Sequence, residues 1–212
     1  MQSFKNSQKA FEYYYKYISL LGEEFDGTKA IFNEGFYIEN PSYRNIDTQY
    51  RKWKKDYAEN EWNWYMSANP DATEIAKSAK IWLNMMNEDG TVNSNYGYQW
   101  NRGNQIEYVV NELTKNPNSR RASISLYDAK ENNLYERDTI CTYAINFMIL
   151  HNKLNMSVLM RSNDLWYGFC NDQYCFSLLQ EMIAQKLNVE VGTYYHFANN
   201  LHIYNKFLNK NN

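Results

Sequence analysis

The chain has 212 residues, of which 44% are apolar and 22% are charged, and its formal net charge is −2. This size and composition fit one globular domain over residues 1–212 and exclude a wholly disordered chain. The weak net charge argues against general binding to nucleic acid, and no apolar run approaches the roughly 20 residues of a membrane span.

The pattern of apolar residues and turn residues predicts helices and strands in mixed order. Helices are expected over residues 8–21, 48–66, 72–86, 105–114 and 173–187, with a short one near 202–208. Strands are expected over residues 29–38, 122–127, 139–150, 154–161 and 189–197. Since strands and helices do not alternate strictly, the predicted fold class is α+β with a mostly buried sheet.

Cysteine usage and the amino terminus indicate the compartment. Cys141, Cys170 and Cys175 are odd in number and lack the spacing of zinc ligands. We therefore expect free thiols in a reducing cytoplasm and no bound metal. The polar and aromatic start of the chain does not resemble a signal peptide, which also favours a cytoplasmic location.

Cys141 is the strongest candidate nucleophile. On its own, a cysteine in an apolar strand is more often an inert packing residue. If 139–150 and 154–161 pair as a hairpin around residues 151–153, however, Cys141 and Arg161 lie together at its open end. A nearby guanidinium favours the thiolate, which is the nucleophilic form.

Three other groups of residues could have either an ordinary structural role or a functional one. Arg120 and Arg121 are either surface charge or a clamp for phosphate oxygens. Glu61 is either a polar helix position or a carboxylate whose pKa neighbouring aromatic rings raise for proton transfer. The polar residues 162–164 after Arg161 are either a solvated turn or part of a site. With the candidate thiol, these groups indicate a nucleophile near a phosphate-binding arginine cluster.

The order and spacing of several motifs resemble the thymidylate synthase superfamily. The motifs are Glu61-Trp62-Asn63-Trp64, Tyr96-Gly97-Tyr98-Gln99-Trp100, Asn116-Pro117-Asn118-Ser119-Arg120-Arg121, Arg161-Ser162-Asn163-Asp164 and His202-Ile203-Tyr204, with Cys141 placed 20 residues before Arg161. The match covers about residues 61–207. It implies a thymidylate synthase-like fold with a mixed or antiparallel buried sheet flanked by helices, and a homodimer packed through that sheet.

The resemblance also implies a chemistry on a pyrimidine deoxynucleoside monophosphate. Cys141 would add covalently to C6 of the base, Glu61 would manage proton transfers, and Tyr96 would complete the catalytic group. The implied co-substrate is 5,10-methylenetetrahydrofolate, without a metal.

Further positions are implied to bind the two substrates. The residues for the phosphate are Arg161, Ser162 and, from the partner subunit of an obligate dimer, Arg120 and Arg121. The residues for the sugar are His202 and Tyr204, and those for folate are Trp82 and Asp164.

Asp172 occupies the position that reads the base. Thymidylate synthases have Asn there, whereas Asp resembles the phage deoxycytidylate hydroxymethylases. A carboxylate accepts from the N4 amino group of cytosine but faces the O4 lone pairs of uracil unfavourably. The plain alternative is that Asp172 caps the helix predicted at 173–187.

The resulting expectation is conversion of dCMP to 5-hydroxymethyl-dCMP. One alternative is a thymidylate synthase or dUMP hydroxymethylase that tolerates a protonated Asp172, and another is a nucleotide-binding relative without catalysis.

Three departures from the family pattern bear on this expectation. The chain ends at Asn212, soon after Tyr204, so we expect the segment that closes over folate to be missing, which favours water capture and a hydroxymethyl product. The early-loop phosphate arginine has no clear counterpart, and Lys29 is the candidate replacement. Ile140 stands where the family has proline before its nucleophile.

Overall fold

The computed structural model describes residues 1–49 and 51–208. Tyr50, which the apolar pattern of 48–66 includes, and Asn212, the last residue, lie outside the described residues. Within the described ranges, no helix is both long and apolar enough to cross a membrane.

A mixed β-sheet forms the centre of the described chain. Its strands are β1 (Gln2–Phe4), β2 (Glu23–Phe25), β3 (Thr28–Ile38), β4 (Ser123–Ser125), β5 (Thr142–Leu150), β6 (Lys153–Met160), β7 (Asn163–Asp164) and β8 (Glu190–Tyr204). The main order is β1-β3-β8-β6-β5-β4, with β2 paired to β3 and β7 paired to β8. β8 runs parallel to β6 and antiparallel to β3, so the sheet is mixed as expected.

Helices pack against this sheet and complete the predicted α+β fold. They are α1 (Ser7–Leu21), α2 (Lys55–Met66), α3 (Ile75–Ser78), α4 (Trp82–Met85), α5 (Tyr96–Asn101), α6 (Gln105–Lys115), α7 (Ala129–Asn132) and α8 (Cys170–Leu187). α1 and α8 both contact β8, and the apolar side chains that they bury include Phe11, Ile18, Phe176 and Leu179.

The two faces of the sheet differ in burial. Along β6, Leu154, Met156 and Val158 are buried while the residues between them are half-buried, as the two-residue period of a strand requires. On the less buried face, Tyr37 of β3 lies opposite Tyr195 of β8, with ring centroids 4.9 Å apart. Helices therefore cover one face of the sheet more fully than the other.

The β5–β6 hairpin confirms the pairing predicted for residues 139–161. His151 and Asn152 make the turn with φ of 52° and 60°, a left-handed pair that matches the twist of the strands. At the other end, Thr142 pairs with Met160. The next residues outward, Cys141 and Arg161, therefore meet at the open end.

Several predicted boundaries are wrong. The helix expected at 72–86 is two short helices, α3 and α4, because Ala79 between them is extended (φ −144°, ψ 104°). This break accompanies a hydrogen bond from Trp82 Nε1 to the Tyr57 hydroxyl, 3.0 Å long. In the described part of 48–66, the helix begins only at Lys55.

The carboxyl-terminal prediction also fails in its detail. Residues 202–204, expected in a helix, belong to β8, and only Asn205–Phe207 form a helical turn. β8 extends beyond the predicted 189–197 because β3 supplies partners as far as Thr28, which pairs with Tyr204.

Candidate active site

Arg161 holds the backbone that carries Cys141. Its Nε donates to the Ile140 carbonyl at 3.0 Å and its Nη2 to the Thr139 carbonyl at 2.6 Å. The backbone N–H of Arg161 also donates to the Cys141 carbonyl at 2.8 Å. Since these bonds satisfy the carbonyls of three successive residues, they fix the position from which the thiol projects.

The protonation of Cys141 differs from the expectation based on Arg161 alone. Burial raises the pKa of the thiol, and the Arg161 charge, which lowers it, only partly compensates. Nearby Asp172 raises it further, and the resulting pKa is about 11. The chain without substrate therefore holds Cys141 as a thiol at neutral pH, which corrects the prediction of a favoured thiolate.

Glu61 is buried in α2, one helical turn after Tyr57. The Tyr57 hydroxyl donates to Glu61 Oε1 at 2.9 Å and accepts from Trp82 Nε1 at 3.0 Å. Glu61 Oε2 is buried and has no hydrogen-bond partner among the described residues. Burial raises the pKa of Glu61 to about 7, although the nearby hydroxyls of Tyr57 and Tyr65 both lower it. The carboxyl can therefore both take up and release a proton near neutral pH.

Tyr96 begins α5 and is almost fully buried. Its helix lies against α2 so closely that a Cβ on Gly97 would fall 1.6 Å from the Tyr65 carbonyl oxygen. The pKa of Tyr96 is raised first by burial and then by the charges of Asp172 and Cys141. Gly97 thus allows the approach that brings Tyr96 to the Cys141 thiol and the Asp172 carboxyl.

Asp172 lies in the first turn of α8, two residues after the helix begins at Cys170. The alternative role as helix cap is therefore wrong, and the carboxylate that caps the preceding turn is Asp164, which accepts from the backbone N–H groups of Trp166 and Tyr167. Asp172 Oδ2 accepts from Asn163 Nδ2 at 2.7 Å. Burial raises the pKa of Asp172 well above its ordinary value, and the charge of nearby Glu61 raises it further.

Asp164, His202 and Tyr204 lie along one side of the site. Asp164 pairs with His202 in the parallel β7–β8 register. The rings of His202 and Tyr204 meet edge to face, 5.4 Å apart, and both side chains are less buried than Leu201 and Ile203. The pKa of Tyr204 is raised by burial, then by the charges of Asp164 and Cys141, which places Tyr204 near both.

Ser162 is half-buried between Arg161 and β7, whereas Arg120 and Arg121 lie elsewhere in the protomer. The two arginines follow α6 in a turn that Ser119 stabilises by donating to Glu112 and accepting from the Arg121 N–H. Both are exposed, and no ion pair or side-chain hydrogen bond joins their guanidinium groups to another described residue.

Lys29 does not approach this cluster in the structure. Its Nζ donates to the Ser19 carbonyl near the end of α1, at 3.1 Å. Across the described ranges, no three His, Cys, Asp or Glu side chains are grouped to hold a metal ion.

The sequence analysis assigned no individual role to two residues that contribute to the site, Tyr57 and Asn163. Tyr57 could have been found, because its position four residues before Glu61 puts the two side chains on one helix face. Asn163 was noted only within the polar segment 162–164, and its contact with Asp172 could not be predicted because it depends on the turn between β7 and α8.

Known proteins share the sequence pattern and the fold of this chain. The sequence model described as Thymidylate synthase matches residues 28–212. Thymidylate synthase 1 of Bacillus amyloliquefaciens is 30% identical over 181 residues, covering 81% of this chain and 78% of that protein. Thymidylate synthase of Bacillus atrophaeus is 31% identical over 173 residues, covering 77% and 75%.

A solved structure shows the same architecture. Thermostable thymidylate synthase A from Bacillus subtilis superimposes with a TM-score of 0.78 at 26% identity, over 94% of this chain and 80% of that one. The family match, the relatives and the shared fold lead to one conclusion. The chain belongs to the thymidylate synthase family, whose enzymes transfer a one-carbon unit from methylenetetrahydrofolate to a pyrimidine nucleotide.

Proposed function

We propose that this chain transfers a one-carbon unit to C5 of a pyrimidine deoxynucleoside monophosphate through a covalent adduct with Cys141. The observation that supports it is that the buried acid Asp172 lies within electrostatic range of both the Cys141 thiol and the Glu61 carboxyl, whose pKa is about 7. Perturbed titratable groups that share one site are typical of catalysis.

Cys141 supplies the covalent step. As the thiol loses its proton, Sγ forms a bond to C6, and the electron pair of the C5–C6 double bond makes C5 nucleophilic. Because the free thiol has a pKa of about 11, only a small fraction is thiolate at neutral pH. Arg161 assists by lowering the thiol pKa and by holding residues 139–141 in place.

Glu61 supplies the proton transfers. Its pKa of about 7 lets it accept the C5 proton, and its unpaired Oε2 is the oxygen left to act on a ligand or on water. Tyr96 lies close enough to Cys141 and Asp172 to help shape the same pocket.

The residues near Trp82 fit a folate. Ile81 and Leu83 leave about half of their side-chain surface exposed beside the buried Trp82 indole, an apolar surface suited to a flat ring. Asp164 offers a carboxyl on the other side of the cluster. When bound, methylenetetrahydrofolate supplies the one-carbon unit.

The proposed phosphate site requires a dimer. Arg161 and Ser162 lie beside Cys141 in one protomer, while the guanidinium groups of Arg120 and Arg121 are exposed and have no protein partner among the described residues. The less covered face of the sheet, with Tyr37 and Tyr195, provides a surface for a second copy. In a twofold dimer packed through this face, Arg120 and Arg121 of the partner subunit would complete the phosphate site.

Uracil is the base that the comparisons favour, since the relatives reported above carry the name thymidylate synthase. The chemistry of Asp172 is compatible with this, because burial raises the pKa of Asp172 and so favours the neutral acid. A neutral carboxyl both donates and accepts, so it can donate to O4 and accept from N3–H as an Asn amide would. Only the ionised form of Asp172 faces the O4 lone pairs of uracil unfavourably.

Cytosine is the second candidate, and Asp172 is the observation that favours it. A neutral acid can donate to N3 of cytosine and accept from the N4 amino group, while an ionised one still accepts from N4. The product would then be 5-hydroxymethyl-dCMP.

A mass-spectrometric product assay distinguishes these functions. The purified chain with methylenetetrahydrofolate is offered dUMP, dCMP or CMP in separate reactions, with Cys141→Ser as the control without a nucleophile. A gain of CH2 on dUMP supports thymidylate synthesis, a gain of CH2O on dCMP supports the hydroxymethylase, and no product from any nucleotide contradicts the proposal.

The variant Asp172→Asn then tests the base-reading position. If dCMP is the substrate, this change is expected to move the preference from dCMP toward dUMP by one or two decades, since an unmatched buried polar group costs about 1–3 kcal/mol. If dUMP is the substrate, dUMP turnover rises only modestly.

A further inference from the structure

Asn163 is the residue that hydrogen-bonds the base-reading acid. Its Nδ2 donates to Asp172 Oδ2 at 2.7 Å, and within the described part of the chain no protein group donates to Oδ1. The two oxygens of Asp172 are therefore not equivalent. Oδ2 accepts one hydrogen bond from the protein and keeps one lone pair, whereas Oδ1 is left entirely for a ligand.

Packing holds this pair in place. Asn163 is 3% exposed and lies in β7, where it pairs with Leu201 of β8. Gly168 faces the pair, and a Cβ there would lie 2.9 Å from Asn163 Nδ2 and 3.3 Å from Asp172 Oδ2. Asn163 Oδ1 is buried without a hydrogen-bond partner among the described residues, so donation to Asp172 is its one polar side-chain contact there.

The contact has a chemical consequence when Asp172 is neutral. Burial and the negative charges of Glu61 and Asp164 all favour the protonated acid. A neutral carboxyl has one carbonyl oxygen, which accepts, and one hydroxyl oxygen, which also donates. Because the carbonyl oxygen of a neutral carboxyl is the stronger acceptor, the N–H of Asn163 at Oδ2 favours Oδ2 as the carbonyl oxygen and places the proton on Oδ1.

We propose that Asn163 is a specificity-determining residue, which selects the pyrimidine by fixing the acid proton of Asp172 on the oxygen that faces the base. This inference rests on the proposed function for the class of substrate. Cytosine accepts at N3 and donates at its C4 substituent, whereas uracil donates at N3 and accepts at C4. If one oxygen of Asp172 is always the donor and the other always the acceptor, the acid matches one base and mismatches the other.

Loss of the Asn163 contact frees the proton to move to either oxygen. The acid can then adopt the order that suits either base, so affinity for the mismatched base rises while affinity for the matched base changes little. The expected effect is a narrowing of the dCMP-to-dUMP affinity ratio, whichever base the unaltered chain prefers.

The experiment measures equilibrium Kd values for dCMP and dUMP without folate, so that it does not depend on turnover. The variants are Asn163→Leu, which is similar in size and lacks the donor, and Gly168→Ala, whose new Cβ displaces the amide without removing it. Each is expected to bring the ratio of the two Kd values about tenfold closer to one.

Two controls separate this role from general damage. The Kd of 2-deoxyribose 5-phosphate, which has no base, should stay within twofold of the unaltered value, and Tyr43→Phe, at an exposed position, should leave all three Kd values unchanged. Gly168→Ala keeps the test valid if Asn163→Leu does not fold.

The outcomes are distinguishable from failure of the proposed function. A narrowed ratio with unchanged sugar phosphate affinity supports the inference, even if the product assay finds no one-carbon transfer. An unchanged ratio in both variants overturns it and leaves the proposed function standing. An unaltered chain that binds dCMP and dUMP equally, or binds neither, also overturns it.

Discussion

Arg161 holds Cys141 by hydrogen bonds to backbone carbonyls before and after the Cys141 side chain. Its own N–H donates to the Cys141 carbonyl, and its guanidinium donates to the carbonyls of the two residues before it. A change at Arg161 should therefore affect both the position of the thiol and its proton affinity.

Replacing Arg161 tests the electrostatic part of this contact. In Arg161→Ala, loss of the positive charge should raise the pKa of Cys141 above about 11, and alkylation of Cys141 by iodoacetamide at pH 8 should slow about tenfold for each unit of that rise. Arg161→Lys retains a charge and should slow less. Lys153→Ala is the control, because it removes one positive charge at the other end of the hairpin, far from Cys141. Equal labelling in all four proteins would refute the effect.

Tyr57→Phe tests the proton affinity of Glu61. The change removes the hydroxyl that donates to Oε1, so the pKa of Glu61 should rise above about 7. Because a general base acts in its ionised form, activity increases with pH through this pKa. The acid limb of kcat/KM should therefore move to higher pH, by about one unit. Tyr43→Phe is the control, and an acid limb that stays in place or moves down would contradict the assignment.

Glu61→Gln tests the cost of burying that carboxyl. Its pKa is raised from 4.5 to about 7 on folding, so the folded chain binds more protons than the unfolded chain between these values. Stability is therefore lost as pH rises from 4.5 to 7, by up to about 3 kcal/mol. Urea unfolding should show Glu61→Gln more stable than the unaltered chain at pH 8, with a smaller difference at pH 4. Glu59→Gln, on the same helix but more exposed, should show little pH-dependent difference.

Gly97→Ala tests the close approach of α5 to α2. A Cβ placed 1.6 Å from the Tyr65 carbonyl oxygen forces the two helices apart, and we expect a loss of ~3 kcal/mol or more in the free energy of unfolding. Gly103→Ala is the comparison, because its surroundings are open and only its φ of 65° opposes a side chain. That change should cost ~1 kcal/mol. Similar losses of unfolding free energy in the two variants would show that the close contact at Gly97 does not determine the cost of the substitution.

Mixing two inactive variants tests the shared phosphate site. In the proposed dimer, Arg121→Ala and Cys141→Ser damage different parts of a site to which both subunits contribute. When equal amounts are unfolded and refolded together, half of the dimers are mixed, and one of the two sites in each escapes both changes. About a quarter of the original activity should therefore return. If Arg121 acted within its own subunit, no mixed dimer would gain an intact site and activity would stay low.

The elements predicted best from the sequence were strands with a clear local pattern of apolar residues. The hairpin of β5 and β6 followed from two apolar runs around a short turn, and it correctly placed Cys141 beside Arg161. β8 was predicted too short because its last residues, up to Tyr204, are held by pairing with distant β3 rather than by local pattern. The helix expected at 72–86 failed for a similar reason, since the fold breaks it at Ala79.

The sequence predicted which residues form the site better than it predicted their protonation and their contacts. The family resemblance supplied the candidate residues, and the structure brings Cys141, Glu61, Asp172 and Tyr96 together. The state of the thiol was not predictable, because it depends on how far burial outweighs the charge of Arg161. The contact between Asn163 and Asp172 was not predictable either, because nine residues and a tight turn separate the two.

The hydrogen bonds from Trp82 through Tyr57 to Glu61 can run in only one direction. An indole N–H donates and never accepts, so the Tyr57 hydroxyl hydrogen cannot turn back toward Trp82 and must point at Glu61 Oε1. With Oε1 accepting from Tyr57, the buried Oε2 has no protein partner among the described residues and is the oxygen more available to take up or release a proton.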